Sequence, residues 1–156
     1  MNTLILIHSY HHHNTQKIGK VLSDVLAASL QKVTEVDVSE MQNYEVIGFG
    51  AGIDSGKHYK PMLALAKSLP VVQGKSAFIF STGGVAGKES KMRNDHSALR
   101  EILLSKGYRI LGEFQCKGYN TNSILKYFGG MNRGRPNASD LSRAHQFAQN
   151  ILGKAR

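Results

Sequence analysis

The sequence predicts an α/β domain of three layers: an open sheet of five parallel strands in the order 2-1-3-4-5, with helices on both faces. Two observations carry this. Short apolar runs alternate with amphipathic stretches along the whole chain, which is the pattern of βαβ units. The first of these runs, Thr3 to His8 (TLILIH), is apolar almost throughout, as a strand covered on both faces requires. With 156 residues, positions 1–156 have the length of one domain.

After the first strand, Asn14-Thr15 offers a helix N-cap, and Ile18, Val21, Leu22, Val25 and Leu26 follow at helical spacing. Val33 to Val38 (VTEVDV) reads as a second, more polar strand. Its charges suit a sheet edge; the order 2-1-3-4-5, the commonest for a short sheet of this kind, is not read from periodicity and follows only if this strand lies at one edge. Val46 to Gly52 (VIGFGAG) is the third strand and runs into glycines. Pro61 is a favourable first helical residue. Met62, Leu65, Ala66 and Leu69 line the helix that follows, and Pro70 ends it. Ser76 to Phe80 (SAFIF) is the fourth strand. Asn94-Asp95 caps a third helix with Leu99, Ile102 and Leu103 inward, and Gly107 terminates it. Tyr108 to Cys116 (YRILGEFQC) is the fifth strand. A long loop, Lys117 to Asn137, leads to a last helix that starts near Asn137 or Ser139 and buries Leu141, Ala144, Ala148, Ile151 and Leu152.

Hydrophobic residues make up 41% and charged residues 20% of the chain, and the net charge is +9. No apolar run approaches the ~20 residues of a membrane span. The N-terminus lacks the basic flank and cleavage site of a signal peptide. The single cysteine, Cys116, excludes an internal disulfide. These features lead to the expectation of a cytoplasmic protein. The basic residues (Lys57, Lys60, Lys88, Lys91, Arg93 and others) are scattered, with no dense basic helix or base-stacking platform. The charge therefore predicts a basic solvated surface, with an acidic protein partner or none, rather than nucleic acid.

In such sheets ligands bind beyond the carboxyl ends of the strands, near the switch in strand order. The loops after strands one, three and four are therefore the candidate site. The first, Ser9-Tyr10-His11-His12-His13-Asn14-Thr15, joins a buried strand to a helix N-terminus. Free amides and the positive end of the helix dipole favour a phosphate there. Hydroxyls of Ser9 and Thr15 and the amide of Asn14 add uncharged donors. The second loop is Gly52 to Tyr59 (GIDSGKHY) and the third Ser81 to Gly87 (STGGVAG). Their glycines let main-chain groups approach a planar ligand closely, and Gly52 and Gly56 permit a peptide to flip toward it. Two other phosphate motifs are excluded. Gly52 to His58 has three residues, not four, before its Gly-Lys and ends in His. No G-x-G-x-x-G follows the first strand.

Taken together, the three loops resemble the flavodoxin family, over essentially the whole chain. Ser9 to Thr15 resembles the family's hydroxyl-rich phosphate loop, which ends in Gly-Asn-Thr. Tyr44 to Lys60 (YEVIGFGAGIDSGKHYK) looks like its third strand and flavin loop, and Phe80 to Gly84 (FSTGG) like its fourth strand and next flavin loop. Gly112 to Thr121 and Phe128 to Asp140 are similar to a flavodoxin subgroup. The resemblance implies a flavodoxin-like sandwich, non-covalent FMN and one-electron transfer. Ser9, His11, His13, Asn14 and Thr15 would lie at the phosphate. Ala51, Gly52 and Ile53 would border the ring from one loop, and Ser81, Thr82, Gly83 and Gly84 from the other. Where the family has glycine this chain has His13, which is strained if the position requires φ > 0. With no tryptophan in the chain, Tyr59, His58 or Tyr119 would cover the ring.

The run His11-His12-His13 is read as phosphate-proximal or solvent-exposed rather than as a metal site, because consecutive residues rarely converge on one ion. Cys116 reads as a buried thiol. No nucleophile with an oriented base is present to suggest covalent catalysis. The expected function is an FMN-dependent electron carrier. Its basic charge should stabilise the more anionic reduced flavin and serve redox partner proteins with acidic docking surfaces. The alternative is an FMN-dependent NAD(P)H:acceptor reductase, such as a quinone reductase, on the same fold. A third possibility is a binding module that has lost the flavin.

Overall fold

In the computed structural model, which describes residues 1–10, 12–121, 127 and 129–156, the first apolar run forms β1 (Thr3–His8). It is followed by α1 (Asn14–Leu26), β2 (Ser29–Lys32), a short 3₁₀ helix (Val38–Asn43), β3 (Val46–Asp54) and β4 (Lys57–His58). Then come α2 (Lys60–Ser68), β5 (Ser76–Gly83), α3 (Glu89–Ser105), β6 (Arg109–Lys117) and α4 (Ala138–Lys154). The parallel strands run in the order β2-β1-β3-β5-β6, and β4 folds back antiparallel onto β3. The five parallel strands and their order agree with the sequence prediction.

Alternation along each strand feeds two cores. Leu4, Leu6, Ile47, Phe49 and Ile79 pack with Met62 and Ala66 of α2 and Leu99 and Leu103 of α3. Ile5, Ile7, Phe78, Phe80 and Phe114 pack with Ile18 and Leu22 of α1 and Ala144, Ala148 and Ile151 of α4. Gly48 and Gly50 of β3 face the second core. A Cβ on Gly48 would stand 2.3 Å from the Phe78 ring, and one on Gly50 2.1 Å from the Phe80 ring. The glycine run is in this part a packing device, which lets two phenyl rings lie flat on the strand.

Two elements depart from expectation. The second strand is Ser29–Lys32, not Val33–Val38. Val33 donates to Ile7 O at 2.9 Å, after which the chain turns. The Asp37 carboxylate accepts from Ser39 N at 2.8 Å and starts the 3₁₀ helix. Val33, Val36 and Val38 then pack singly against the first core instead of pairing. The third helix starts at Glu89, so Asn94-Asp95 lies within it and does not cap it. Pairs at i,i+4 support its first turns, Arg93 with Glu89 at 2.8 Å and Lys91 with Asp95. The hairpin that makes β4 was not anticipated. Ser55 and Gly56 both have positive φ (51° and 75°), as a two-residue turn of the I′ class needs.

The expected start of α4 holds. Asn137 Oδ1 accepts from Asp140 N at 3.0 Å, and Asp140 accepts from Asn137 N at 2.8 Å, a reciprocal capping box. Gly107, at φ 89°, ends α3. Cys116 is buried, and burial, with the Asp140 charge second, pushes its thiol up to about 12. Among the described residues no helix is long and apolar enough to cross a membrane.

Candidate functional site

The carboxyl ends of β1, β3, β5 and β6 meet the N-terminus of α1 and enclose one pocket. Ser9 and Tyr10 line it from the first loop, and Asn14 and Thr15 from the first turn of α1. Gly52, Ile53 and Tyr59 contribute from the β3–β4 hairpin, and Thr82, Gly83 and Gly84 from the end of β5. Gly118, Tyr119 and Asn120 close it from the segment after β6. No lining residue is Asp, Glu, Lys or Arg, so the pocket offers hydroxyls, amides and aromatic faces but no side-chain ion pair.

The start of α1 is built differently from the cap expected at Asn14-Thr15. Both residues are already helical, and His13 holds the cap position at φ 53°, ψ 29°, without a side-chain cap hydrogen bond. His12 precedes it at φ 51°. Left-handed backbone at a non-glycine residue costs roughly 1–2 kcal/mol, so the strain anticipated at His13 is real and extends to its neighbour. Neighbouring contacts hold the pair. The His13 ring meets Gln16 Oε1 at 3.1 Å. His12 lies tilted on the Tyr119 ring at 4.2 Å and meets Thr121 Oγ1 at 2.8 Å.

Because the His13 side chain caps nothing, the α1 N-terminus at the pocket leaves the Asn14 and Thr15 amides without a partner among the described residues. Ser9 Oγ accepts from Gln16 N at 3.3 Å. Thr15 Oγ1 and Thr82 Oγ1 share a buried hydrogen bond at 2.9 Å, tying the start of α1 to the end of β5. Asn14 Nδ2 donates to Tyr119 O at 2.8 Å, while its Oδ1 is buried without a partner. Such an orphaned acceptor costs about 1–3 kcal/mol unless a donor meets it. Gly118 makes room for Asn14: a Cβ there would lie 2.7 Å from Nδ2. Likewise a Cβ on Gly52 would lie 2.6 Å from the Tyr59 ring. Tyr59, half-buried, packs edge-on to His8 and Tyr10 at 5.8 and 6.4 Å. Burial, and then the Asp54 charge, raise its phenol pKa. Asn132, at φ 58°, donates to Gly84 O at 2.7 Å and to Gly118 O at 3.3 Å, joining the third loop to the segment after β6.

Of the predicted residues, Ser9, Asn14, Thr15, Gly52, Ile53, Tyr59, Thr82, Gly83, Gly84 and Tyr119 converge on this pocket. His13 is the αL cap at its edge. Ala51 is fully buried in the core on the far side of β3. Ser81 is also fully buried and turns away from the pocket, and His11 lies outside the described residues. Tyr10, Gly118 and Asn120 were not singled out from the sequence. Gly118-Tyr119-Asn120 follows the fifth predicted strand directly, which is the signal that marks it. Among the described residues no cluster of three or more His, Cys, Asp or Glu side chains is arranged to hold a metal.

A buried polar network lies behind the pocket, on the α3 face. Ser81 Oγ meets His96 Nε2 at 2.7 Å, and His96 Nδ1 meets Glu113 at 2.9 Å. Arg100 donates twice to Glu113, at 2.5 and 2.8 Å. Burial acts against ionised Glu113, but these hydrogen bonds from Arg100 and His96 more than offset it and hold the carboxyl at about 2. His96 Nδ1 therefore donates to a carboxylate, leaving Nε2 to accept from the Ser81 hydroxyl when the ring is neutral. Gln115 Nε2 donates to Ser81 Oγ at 3.1 Å and to Asp95 at 2.9 Å. His58 donates from Nε2 to Phe80 O at 3.1 Å. Burial, then the neighbouring His96, push its pKa down to about 3, so His58 is neutral. The network fastens α3 and the β4 hairpin to the ends of β5 and β6.

A flavodoxin domain model matches residues 5–151. The chain belongs to the flavodoxin family. The chain is 45% identical over 152 residues to an uncharacterized protein of Methanocaldococcus jannaschii, covering 97% of this chain and 99% of the relative. Oxidised flavodoxin 2 of Bacillus cereus superposes with a TM-score of 0.72 at 16% identity, covering 99% of both chains. The Fusobacterium nucleatum flavodoxin bound to flavin mononucleotide gives 0.68 at 14% identity, again over 99% of both chains. At these identities the two structures demonstrate a shared fold.

Proposed function

We propose that this chain binds one FMN in the pocket and passes single electrons between redox partner proteins in the cytoplasm. The observation that carries the reading is the start of α1. An N-terminus whose cap residue, His13, covers no amide with its side chain, flanked by Ser9 and Thr15 hydroxyls, suits a phosphate. The orphaned Oδ1 of Asn14 suits a ligand that also brings hydroxyl donors, as the ribityl chain of FMN does. Gly52, Gly83 and Gly84 bring main-chain groups to the pocket wall with no side chains of their own, and Tyr59 and Tyr119 are aromatic walls beside them. FMN supplies the electron-accepting ring; the chain binds it, orients it and keeps water from one face. His13 and the buried Ser81 contribute through the backbone, by shaping the loops that carry them. The family relationship and the FMN-bound Fusobacterium relative support the cofactor. The net charge of +9 supports partners with acidic docking surfaces.

The test is titration of the flavin-free protein with FMN and with riboflavin. FMN should lose its fluorescence and raise the melting temperature, and riboflavin, which lacks the phosphate, should bind at least about tenfold more weakly. Thr15→Val should weaken FMN and leave riboflavin nearly unaffected. If FMN moves neither signal, the reading fails.

A further inference from the structure

The sheet ends at β6, whose outer edge lies at the bottom of a trough between α3 and α4. Gly118 N donates inward to Gly83 O. By strand alternation, the main-chain groups of Glu113, Gln115 and Lys117 therefore point outward. Among the described residues their outward N–H groups have no hydrogen-bond partner, and Gln115 O meets only Arg143, at 3.5 Å. That contact is at the limit of a hydrogen bond and is readily given up. One turn earlier the edge is sealed: Leu111 is the extra residue of a bulge, and its carbonyl accepts from Lys154 at 2.9 Å. The open edge is thus short and sharply bounded.

Charge marks the walls. Lys88, Arg93, Arg100, Arg143 and Lys154 line the trough, against Glu89 and Glu113, both of which are already paired with arginines. Met92 and Phe114 supply an apolar strip on the floor. Gln115, only 5% exposed, lies in the same trough with its Oε1 buried and unpartnered. A lone cation would serve to discourage strand pairing. Arg93 and Arg100 are balanced by those two carboxylates, so Lys88, Arg143 and Lys154 leave the trough with a net positive charge. That excess, with an apolar strip and unpaired main-chain groups, instead complements an extended segment that carries carboxylates.

We propose that the edge of β6 from Glu113 to Lys117 docks an extended acidic segment of a partner protein, which adds to the sheet as a further strand. Main-chain hydrogen bonds give this docking its geometry, and the basic walls give it its preference for acidic sequence. The trough shares no lining residue with the FMN pocket. A partner held there is tethered without covering the pocket, and the proposal stands or falls independently of flavin binding.

The test uses the ¹⁵N-labelled full chain and a blocked peptide of alternating Glu and Val. Two control peptides accompany it: one with Lys for every Glu, the other N-methylated through its central residues. The Glu peptide should shift the Glu113, Gln115 and Lys117 amides and slow their hydrogen exchange, with affinity falling as salt rises. The Lys and the N-methylated peptides should each bind about tenfold or more weakly. Arg143→Glu, read in the same spectra, should weaken the Glu peptide while its own shifts confirm the fold. Unchanged signals at those three amides, or equal binding by the N-methylated peptide, would overturn the proposal.

Discussion

His13 combines a costly backbone with a position at the mouth of the pocket. Its φ of 53° lies in the region that glycine enters freely. His13→Gly should relieve part of that strain and raise stability by up to about 1 kcal/mol, read as a higher melting temperature of the flavin-free protein. The gain is limited because glycine also adds freedom to the unfolded chain. Strain of this kind clusters at binding sites, and it was anticipated from the sequence because His stands where the family has glycine. The paired strain at His12 had no such signal. It depends on contacts with Tyr119 and Thr121, more than 100 residues away, for which the interval in the chain gives no clue. Asn14 shows the same limit. It was expected to cap a helix, but Gly118 opens the space into which its amide reaches toward Tyr119.

At the level of elements, β3 shows how close packing constrains a strand. Gly50→Ala would set a methyl group into the Phe80 ring, which is itself fully buried. The expected cost is about 1–3 kcal/mol, measured by denaturant unfolding, with Gly153→Ala, where a Cβ meets nothing, as the mild comparison. Periodicity made β1, β3, β5, β6, α1, α2 and α4 legible, because each buries a regular face. It misplaced β2, since Val33, Val36 and Val38 are β-formers that pack without pairing. It also placed the start of α3 too late. Asn94-Asp95 has the composition of a cap, but Asp95 is drawn inward by Gln115 and Lys91. The pocket was legible because its walls are the loops directly beyond the strands. The Ser81–His96–Glu113–Arg100 network was not, since its members come from three elements with no common spacing.

For the molecule as a whole, the buried network predicts acid sensitivity. His58 has its folded pKa depressed to about 3 from 6.5. Below pH ~6.5 the unfolded chain takes up a proton that the folded protein refuses, so stability falls with pH down to about 3. Glu113, held at about 2 against 4.5, contributes stability above pH ~4.5 that is lost as pH falls through the folded value. Both groups act in the same direction, with a slope approaching about 1.4 kcal/mol per pH unit for each proton. Melting temperatures recorded from pH 7 to pH 4 should decline, and His58→Gln should flatten the upper part of that decline. Net charge acts at the same scale: association with acidic partner surfaces should slow steeply between 50 and 300 mM salt, roughly the range over which the screening length shrinks below 10 Å. The chain also carries its own opening sensor. Its single sulfhydryl, Cys116, is sealed beneath α4 and held in the unreactive protonated form, so a thiol reagent can modify it only after the sheet and that helix part. Labelling rates in native buffer would then report how often α4 lifts from the sheet, with no residue changed.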